Sequence, residues 1–332
     1  MARPLRIGVL GAARIVPLAL IAPARQISEA DISAIAARNP ERAREFATKY
    51  RIRRVHDSYE ALLSDPDVDA VYISLPNGLH GRWTIAALEA GKHVLCEKPF
   101  TANAEEAEAV AAVARRMGLV TMEAFHYRYH FLMQRTLAII SSGELGEVQR
   151  IEAAFCIPML DFSNIRWDLS LAGGALMDVG CYVIHLLRTL AGAEPVVVSA
   201  KARVLRPDVD RLVQAELAFA DGRTGLITAS MLSHRIFAAN ARVIGSNGVL
   251  QVSNPIAPQY RHRLTVKTAR GRRTEKVNRQ PSTYAAQLQA FAGAVLRGEA
   301  YPTNVDDAIA NMRVIDACYA AAGLSRRAPT KS

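Results

Sequence analysis

His93-Val94-Leu95-Cys96-Glu97-Lys98-Pro99 carries three apolar residues directly into an acid, a base and a proline. A short unbroken apolar run suits a strand covered on both faces, as in a parallel sheet. Ionisable residues just past such a strand lie on the carboxyl edge of the sheet, where open α/β folds bind their ligands. Pro99 has a fixed φ and no N–H to donate, so the chain turns there. Lys98 is therefore expected to face a cofactor, and Cys96 to be a buried strand residue.

The segments around this stretch repeat its logic. Strand-like runs at Arg6–Gly11, Ile32–Ala36, Asp69–Leu75 and Leu119–Met122 alternate with helical runs at Arg14–Ser28, Asn39 onward, Asp57–Leu63, His80–Ala90 and Ala104–Arg116. Strands alternating with helices imply a parallel, doubly wound sheet. After residue 122 the pattern changes. A helix is expected over Tyr129–Ser142, a long strand over Val148–Pro158 and a helix over Ala175–Leu190. Turn-linked strands then follow from Val196 to Val266, as in an antiparallel sheet. Helices over Tyr284–Arg297 and Asp306–Ala322 precede a polar tail. The expected organisation is a Rossmann-type α/β domain over residues 1–122 and an α+β domain with a large, mostly antiparallel open sheet over residues 123–332.

Composition narrows the function classes. The chain has 332 residues, 50% of them hydrophobic and 22% charged, as in ordinary globular proteins. Its apolar runs are short of the roughly 18 residues a membrane span needs. Met1-Ala2-Arg3-Pro4 leads straight into a strand, so no export signal is expected. Cys96, Cys156, Cys181 and Cys318 lie far apart without metal-ligand spacing, as expected of reduced thiols in a cytoplasm. The net charge of +10 is not gathered in a nucleic-acid reader motif. Its densest run, Arg261–Arg279, alternates with apolar residues, as in a solvated hairpin with a basic outer face. No nucleic-acid or membrane partner is expected.

Four further places carry chemistry. Gly11, Ala12, Ala13, Arg14 and Ile15 follow the first strand, where a glycine turn and a helix start cradle a pyrophosphate. Ala13 and Val16 occupy the second and third glycine positions, so the turn alone also fits a plain tight turn. The second strand ends Ala36-Ala37-Arg38-Asn39 without an acid for the ribose hydroxyls. Arg38 offers a planar charged fork for a 2′-phosphate, which favours NADP, with NAD also possible. Asp178 and Tyr182 are four apart and share a helix face, and Gly180 between them implies close packing. Tyr182 can act as acid–base group if a cation such as Lys98 favours its anion, with Asp178 orienting a hydroxyl or the lysine. A hydrogen-bonded core pair would explain the same residues. Finally, Leu75-Pro76-Asn77 with His80 ends another strand at the carboxyl edge, where these residues are expected to contact the cofactor or substrate; an Asn-Gly turn with an exposed histidine would also explain them. His126 and His130 have helical spacing without a third ligand, so no metal is expected.

Together these stretches resemble the glucose–fructose oxidoreductase / inositol dehydrogenase (Gfo/Idh/MocA) family. The carrying segments are Glu97-Lys98-Pro99, Glu123–His130, Gly173-Gly174 through Asp178, Gly180 and Tyr182, and Ile244–Gly248. The resemblance implies that Lys98 is catalytic and that Tyr182, where inositol dehydrogenases carry histidine, donates or accepts the proton. Tyrosine there is similar to the branch of glucose–fructose oxidoreductase, NADP-dependent D-xylose dehydrogenase and dihydrodiol dehydrogenase. It further implies that Glu97, Pro99 and Arg128 belong to the cofactor side, Pro99 through a cis bond. Phe125, Tyr127, Arg166, Trp167 and His234 are expected beside Asp178 and Tyr182 on the substrate side. Val16, Ala37 and Phe131 depart from the branch pattern, Ala37 replacing a serine that helps hold the 2′-phosphate. The expected activity is a cytoplasmic NADP-dependent interconversion of a secondary alcohol or cyclic hemiacetal, in a sugar or cyclic diol, with its carbonyl. A homodimer or homotetramer through the C-terminal sheet is implied. An enzyme that retains its cofactor while coupling two sugars, and a non-catalytic NADP sensor, are the alternatives.

Overall fold

The computed structural model describes residues 3–331, so the expectation placed on Met1 and Ala2 lies outside the described residues. The chain divides into two compact units, Met1–His126 with Tyr284–Ile309, and Tyr127–Thr283 with Ala310–Ser332.

In the first unit, β1 (Leu5–Leu10), β2 (Ala30–Ala36), β3 (Arg54–His56), β4 (Ala70–Ile73), β5 (His93–Cys96) and β6 (Thr121–Glu123) form one sheet in the order β3-β2-β1-β4-β5-β6. Every pairing is parallel. This is the doubly wound order, with its topological switch between β1 and β4. Ile7, Val9, Val71, Tyr72, Val94 and Leu95 are buried, because helices cover both faces. The helices are α1 (Ala22–Ala24), α2 (Pro40–Tyr50), α3 (Tyr59–Leu63), α4 (His80–Glu89) and α5 (Ala104–Met117). Side chains set their starts: Asn39, Ser58 and Asn103 accept from the backbone N–H of Arg42, Ala61 and Glu106. The helix expected over Arg14–Ser28 is shorter, a π turn over Pro17–Ile21 running into α1. Pro23 lacks the N–H that would continue the i→i−4 ladder. β3 is only three residues long and half-buried, too short to announce itself by pattern.

The second unit begins with α6 (Phe131–Ser141) and β7 (Val148–Cys156), then α7 (Cys181–Ala191). β8 (Val196–Arg206), β9 (Val209–Ala218), β10 (Thr224–Ser230), β11 (Ala238–Gly245), β12 (Gly248–Ser253), β13 (Arg263–Thr268) and β14 (Gly271–Glu275) follow. With β7 they form an eight-stranded sheet in the order β14-β13-β12-β11-β7-β10-β9-β8. Only β7 and β10 pair in parallel; the other neighbours are antiparallel. Along β9, Val213, Ala215 and Leu217 are buried while Gln214 and Glu216 are exposed, so one face is covered. α7 packs on that face against β7 and β10.

One expectation needs correction here. The helical run Leu169–Ala191 is long and apolar enough to cross a membrane, contrary to the reading of short apolar runs. It interrupts its apolar residues with Asp178 and glycines, and 83% of its most apolar window is buried in the protein, as in a core helix. Within the polar tail, the Arg327 side chain has 0% exposure. The basic run at Arg261–Arg279 does form a hairpin, β13–β14. There Arg273 pairs with Glu144 and Glu275.

Two helices close the chain, α8 (Thr283–Arg297) and α9 (Val305–Ala321). Residues 284–309, expected in the second domain, join the first unit. Thr303 explains the return: its carbonyl accepts from Glu123 N–H at 3.0 Å and its Oγ1 donates to Glu123 O at 2.9 Å. A bond across 180 residues leaves no mark in a local pattern.

Candidate functional site

The carboxyl ends of β1, β2, β4 and β5 carry the first group of candidate residues. Gly11 ends β1 with φ +101°, and a Cβ there would stand 2.9 Å from Ser74 O. Only glycine fits so close an approach at that φ. Its N–H donates to Ala36 O at the end of β2, and Ser74 Oγ donates to the carbonyls of Leu10 and Gly11 at 3.1 and 3.0 Å. The turn is thus fixed from both neighbouring strands. Ala12 is buried, Ala13 and Ile15 are half-buried, and Arg14 is exposed. Arg38 is exposed past β2, its N–H donating to Tyr59 Oη at 3.1 Å. Arg42 was missed in the sequence. Its Nη2 donates to Ala12 O at 3.0 Å, which sets a second guanidinium beside the glycine turn. Its place in the first turn of α2, four residues after Arg38, was the available signal.

The turns after β4 and β5 are tied to each other. Tyr72 Oη donates to Glu97 Oε1 at 2.5 Å, and the Lys98–Pro99 bond is cis. Leu75, Pro76 and Asn77 are half-buried, as are Glu97 and Lys98. His80 is buried, with Nδ1 2.7 Å from Pro99 O and Nε2 2.8 Å from Leu75 O. Both ring nitrogens are thus engaged by main-chain carbonyls, and the ring braces the turn that presents Lys98. A neutral imidazole has one N–H to give, so donating to both carbonyls requires the imidazolium. Burial pushes the pKa of His80 below the ordinary histidine value and the charge of Lys98 pushes the same way, against the two carbonyls. Cys96 is buried, and burial raises its thiol well above the usual range. The thiol is unreactive.

The second group of candidate residues lies in the second unit. A π turn over Leu176–Gly180 carries Asp178 and runs into α7, whose second residue is Tyr182. A Cβ on Gly180 would stand 3.3 Å from Ala229 Cβ on β10, so the glycine permits close packing of this turn on the sheet. Asp178 is buried and its Oδ2 lies 2.9 Å from Arg166 Nε, forming an ion pair. Tyr182 is 7% exposed, with the Phe155 ring edge-on at 5.7 Å between centroids and the Tyr127 ring at 6.2 Å. Tyr127 is buried, its Oη 2.5 Å from His185 Nδ1. Trp167 is buried, Arg128 half-buried, and His234 exposed on the loop after β10.

Phe125 belongs to the first unit and is buried there. The two histidines at helical spacing have separate work. His126 stacks on Tyr284 at 4.0 Å, while His130 Nδ1 accepts from Leu132 N–H and caps α6. Among the described residues no three His, Cys, Asp or Glu side chains gather as metal ligands.

Residues 5–125 match the oxidoreductase family with an NAD-binding Rossmann fold, and residues 133–251 match the GFO/IDH/MocA C-terminal domain. The D-xylose 1-dehydrogenase (NADP(+)) 2 of Haloferax volcanii is 38% identical over 319 residues, which cover 95% of this chain and 96% of that protein. The trans-1,2-dihydrobenzene-1,2-diol dehydrogenase of Mus musculus is 36% identical over 234 residues, 70% of this chain and 69% of its own. The crystal structure of KijD10, a 3-ketoreductase from Actinomadura kijaniata in complex with NADP and TDP-benzene, matches with a TM-score of 0.88. Its identity is 31%, and the match covers 96% of this chain and 98% of that one. Sequence, sheet order and whole-chain similarity agree that this chain belongs to the Gfo/Idh/MocA family of oxidoreductases.

Proposed function

We propose that the protein is an NADP-dependent oxidoreductase that interconverts a secondary alcohol or cyclic hemiacetal of a sugar or cyclic diol with its carbonyl. The observation that carries this reading is Tyr182, nearly buried one helical turn after the Asp178–Arg166 ion pair, in a chain that also places Lys98 at a sheet's carboxyl edge. The first unit fits NADP: the tight Gly11 turn lies at the switch point, where such folds bind a pyrophosphate, and Arg38 and Arg42 supply guanidinium groups for a 2′-phosphate. No acid closes β2 to favour a bare ribose. Bound NADP supplies the nicotinamide carbon that accepts the hydride.

The chain's own residues handle the rest. Oxidation of the alcohol releases a hydride from carbon and a proton from oxygen, and Tyr182 Oη takes that proton as phenolate. The Lys98 ammonium favours the phenolate form, and Asp178 accepts a hydrogen bond from a substrate hydroxyl. In reduction the same groups run in reverse. The buried free thiols fit a reducing cytoplasm. We assign dimer contacts to the open face of the eight-stranded sheet, whose edge strand β8 keeps Val196 and Val198 exposed.

A cofactor-reduction screen tests this, NADP against NAD, across aldoses, inositols, dihydrodiols and keto-sugars. Turnover is expected with NADP, and Lys98→Met and Tyr182→Phe are each expected to lower kcat by about 10²–10⁴-fold. Near-full activity in either variant would move the acid–base role elsewhere. Protein that carries nicotinamide absorbance and oxidises one sugar without added cofactor would point to coupled turnover on a retained cofactor.

A further inference from the structure

Asp210 and Arg327 form an ion pair with no solvent exposure on either side chain, across 117 residues of sequence. Burying two charges is unfavourable unless their remaining donors and lone pairs are also satisfied. Here those groups converge on one segment. Arg327 Nη2 donates to Asp210 Oδ1 at 2.7 Å, and its Nε donates to Gly173 O at 2.7 Å. Asp210 Oδ2 accepts from Leu176 N–H at 2.6 Å. Tyr319 Oη donates to Asp210 Oδ1 at 3.0 Å, while its ring lies 4.1 Å from the guanidinium carbon. The pair therefore grips both ends of Gly173–Leu176, the approach to the turn that carries Asp178.

The grip extends to Arg166. Gly173 N–H donates to Asp168 O and Gly174 N–H to Arg166 O, each at 2.9 Å, and Arg166 Nε closes back on Asp178 Oδ2. Gly174 has φ +131°, and a Cβ there would run into the Asp210 carboxylate and stand 2.8 Å from Arg327 Nη2. Gly174 is what lets the ion pair reach the backbone, while a Cβ on Gly173 would crowd the Arg166 and Asp168 carbonyls at 2.6 and 2.7 Å. Apolar residues in place of both Asp210 and Arg327 would remove the buried charges together and strand neither. They would leave Gly173 O and Leu176 N–H without the partners that fix them.

We propose that Asp210 and Arg327 are positioning residues, whose ion pair fixes Gly173–Leu176 and through it the placement of Arg166, Asp178 and Tyr182 for catalysis. This rests on the roles given above to Asp178 and Tyr182. The C-terminal segment thereby becomes part of the reaction machinery without touching the substrate.

The test compares the full-length protein with Arg327→Lys, Arg327→Met and the double variant D210L/R327M. The readouts are hydrogen exchange over residues 166–182, thermal midpoint, NADP affinity, KM and kcat. The double variant is expected to recover part of the thermal midpoint lost in Arg327→Met, because no unpaired charge is left buried. Exchange over 166–182 should still rise, and kcat should stay about 100-fold down, the scale of a misplacement near 1 Å. NADP affinity should hold while the substrate KM rises with the displaced Asp178, and Arg327→Lys should rescue part of kcat. Wild-type kcat in the double variant would overturn the proposal, as would unchanged exchange over 166–182. If Arg327→Met does not fold, the double variant and Arg327→Lys decide. If wild-type protein turns over none of the screened substrates, the functional reading fails while the exchange result still accepts or rejects the grip.

Discussion

Lys98 and Tyr182 are held by opposite means. The turn that presents Lys98 is braced by one histidine ring between two carbonyls, with partners 5 and 19 residues away. The segment that leads to Tyr182 is gripped by a buried ion pair whose members are 117 residues apart. A local brace spans two neighbouring strand ends and can be swapped with modest consequences. A buried ion pair is all or nothing, because removing one partner strands the other charge. The second unit should therefore be the more fragile, at the segment that leads to Tyr182.

The largest effect should come from Gly174→Ala. It adds a left-handed alanine, costing about 1–2 kcal/mol, and displaces a buried ion pair, costing about 3–5 kcal/mol. Gly11→Ala in the first unit meets Ser74 O at a similar φ but disturbs no charge, so backbone strain of about 1–3 kcal/mol is expected. Urea midpoints of the two variants measure the difference. The contrast breaks if Gly11→Ala is the more destabilised. It sharpens if Gly11→Ala keeps its fold and loses NADP affinity.

The same contrast explains what the sequence disclosed. Parallel strands, the glycine turn, the Arg38 position and the Glu97-Lys98-Pro99 stretch are short-range patterns, and each could be read from a window of residues. The role of His80 was half visible. Its place at a strand end marked the site, but the direction of its ring depends on the path of the Lys98–Pro99 turn. Arg327 was invisible. In a tail reading Leu324-Ser-Arg-Arg327-Ala-Pro-Thr, nothing distinguishes the buried arginine from the exposed Arg326 beside it. The return of residues 284–309 to the first unit was hidden for the same reason, since Thr303 finds Glu123 only in three dimensions.

His80→Phe tests the local brace. The neutral ring has one N–H, so the substitution removes the side-chain donor of one of the two carbonyls it faces, Leu75 O or Pro99 O, at about 1–3 kcal/mol. A loss of kcat larger than the loss of stability predicts would show that the brace also aims Lys98. The pH dependence follows from the lowered pKa. With its folded pKa below the unfolded value near 6.5, His80 binds fewer protons in the folded than in the unfolded state. Its contribution to stability is complete above that value and is lost as pH falls below it, toward the folded pKa. Denaturation midpoints of wild type and His80→Phe, measured from pH 8 to about 5, should converge toward the acid end. Parallel curves would remove His80 as the titrating group.

The smallest effect serves as the control for burial. Arg135 donates Nε and Nη2 to Glu275 at 2.6 and 2.8 Å, a better-formed fork than most surface pairs, and Arg273 adds a second guanidinium. The bond from Arg135 and the second arginine hold the Glu275 carboxyl down to about 2. Its stabilising contribution is therefore present above the ordinary glutamate value of 4.5 and is lost as pH falls from there toward about 2. Yet Arg135 is 44% exposed, and water screens what the geometry offers. Arg135→Ala should cost about 0–1 kcal/mol at neutral pH, less at high salt and nothing near pH 2. If it instead costs as much as Arg327→Met, then charge pairing alone stabilises the second unit. A cost several-fold smaller assigns the rigidity of the Tyr182 segment to the exclusion of water around Asp210 and Arg327.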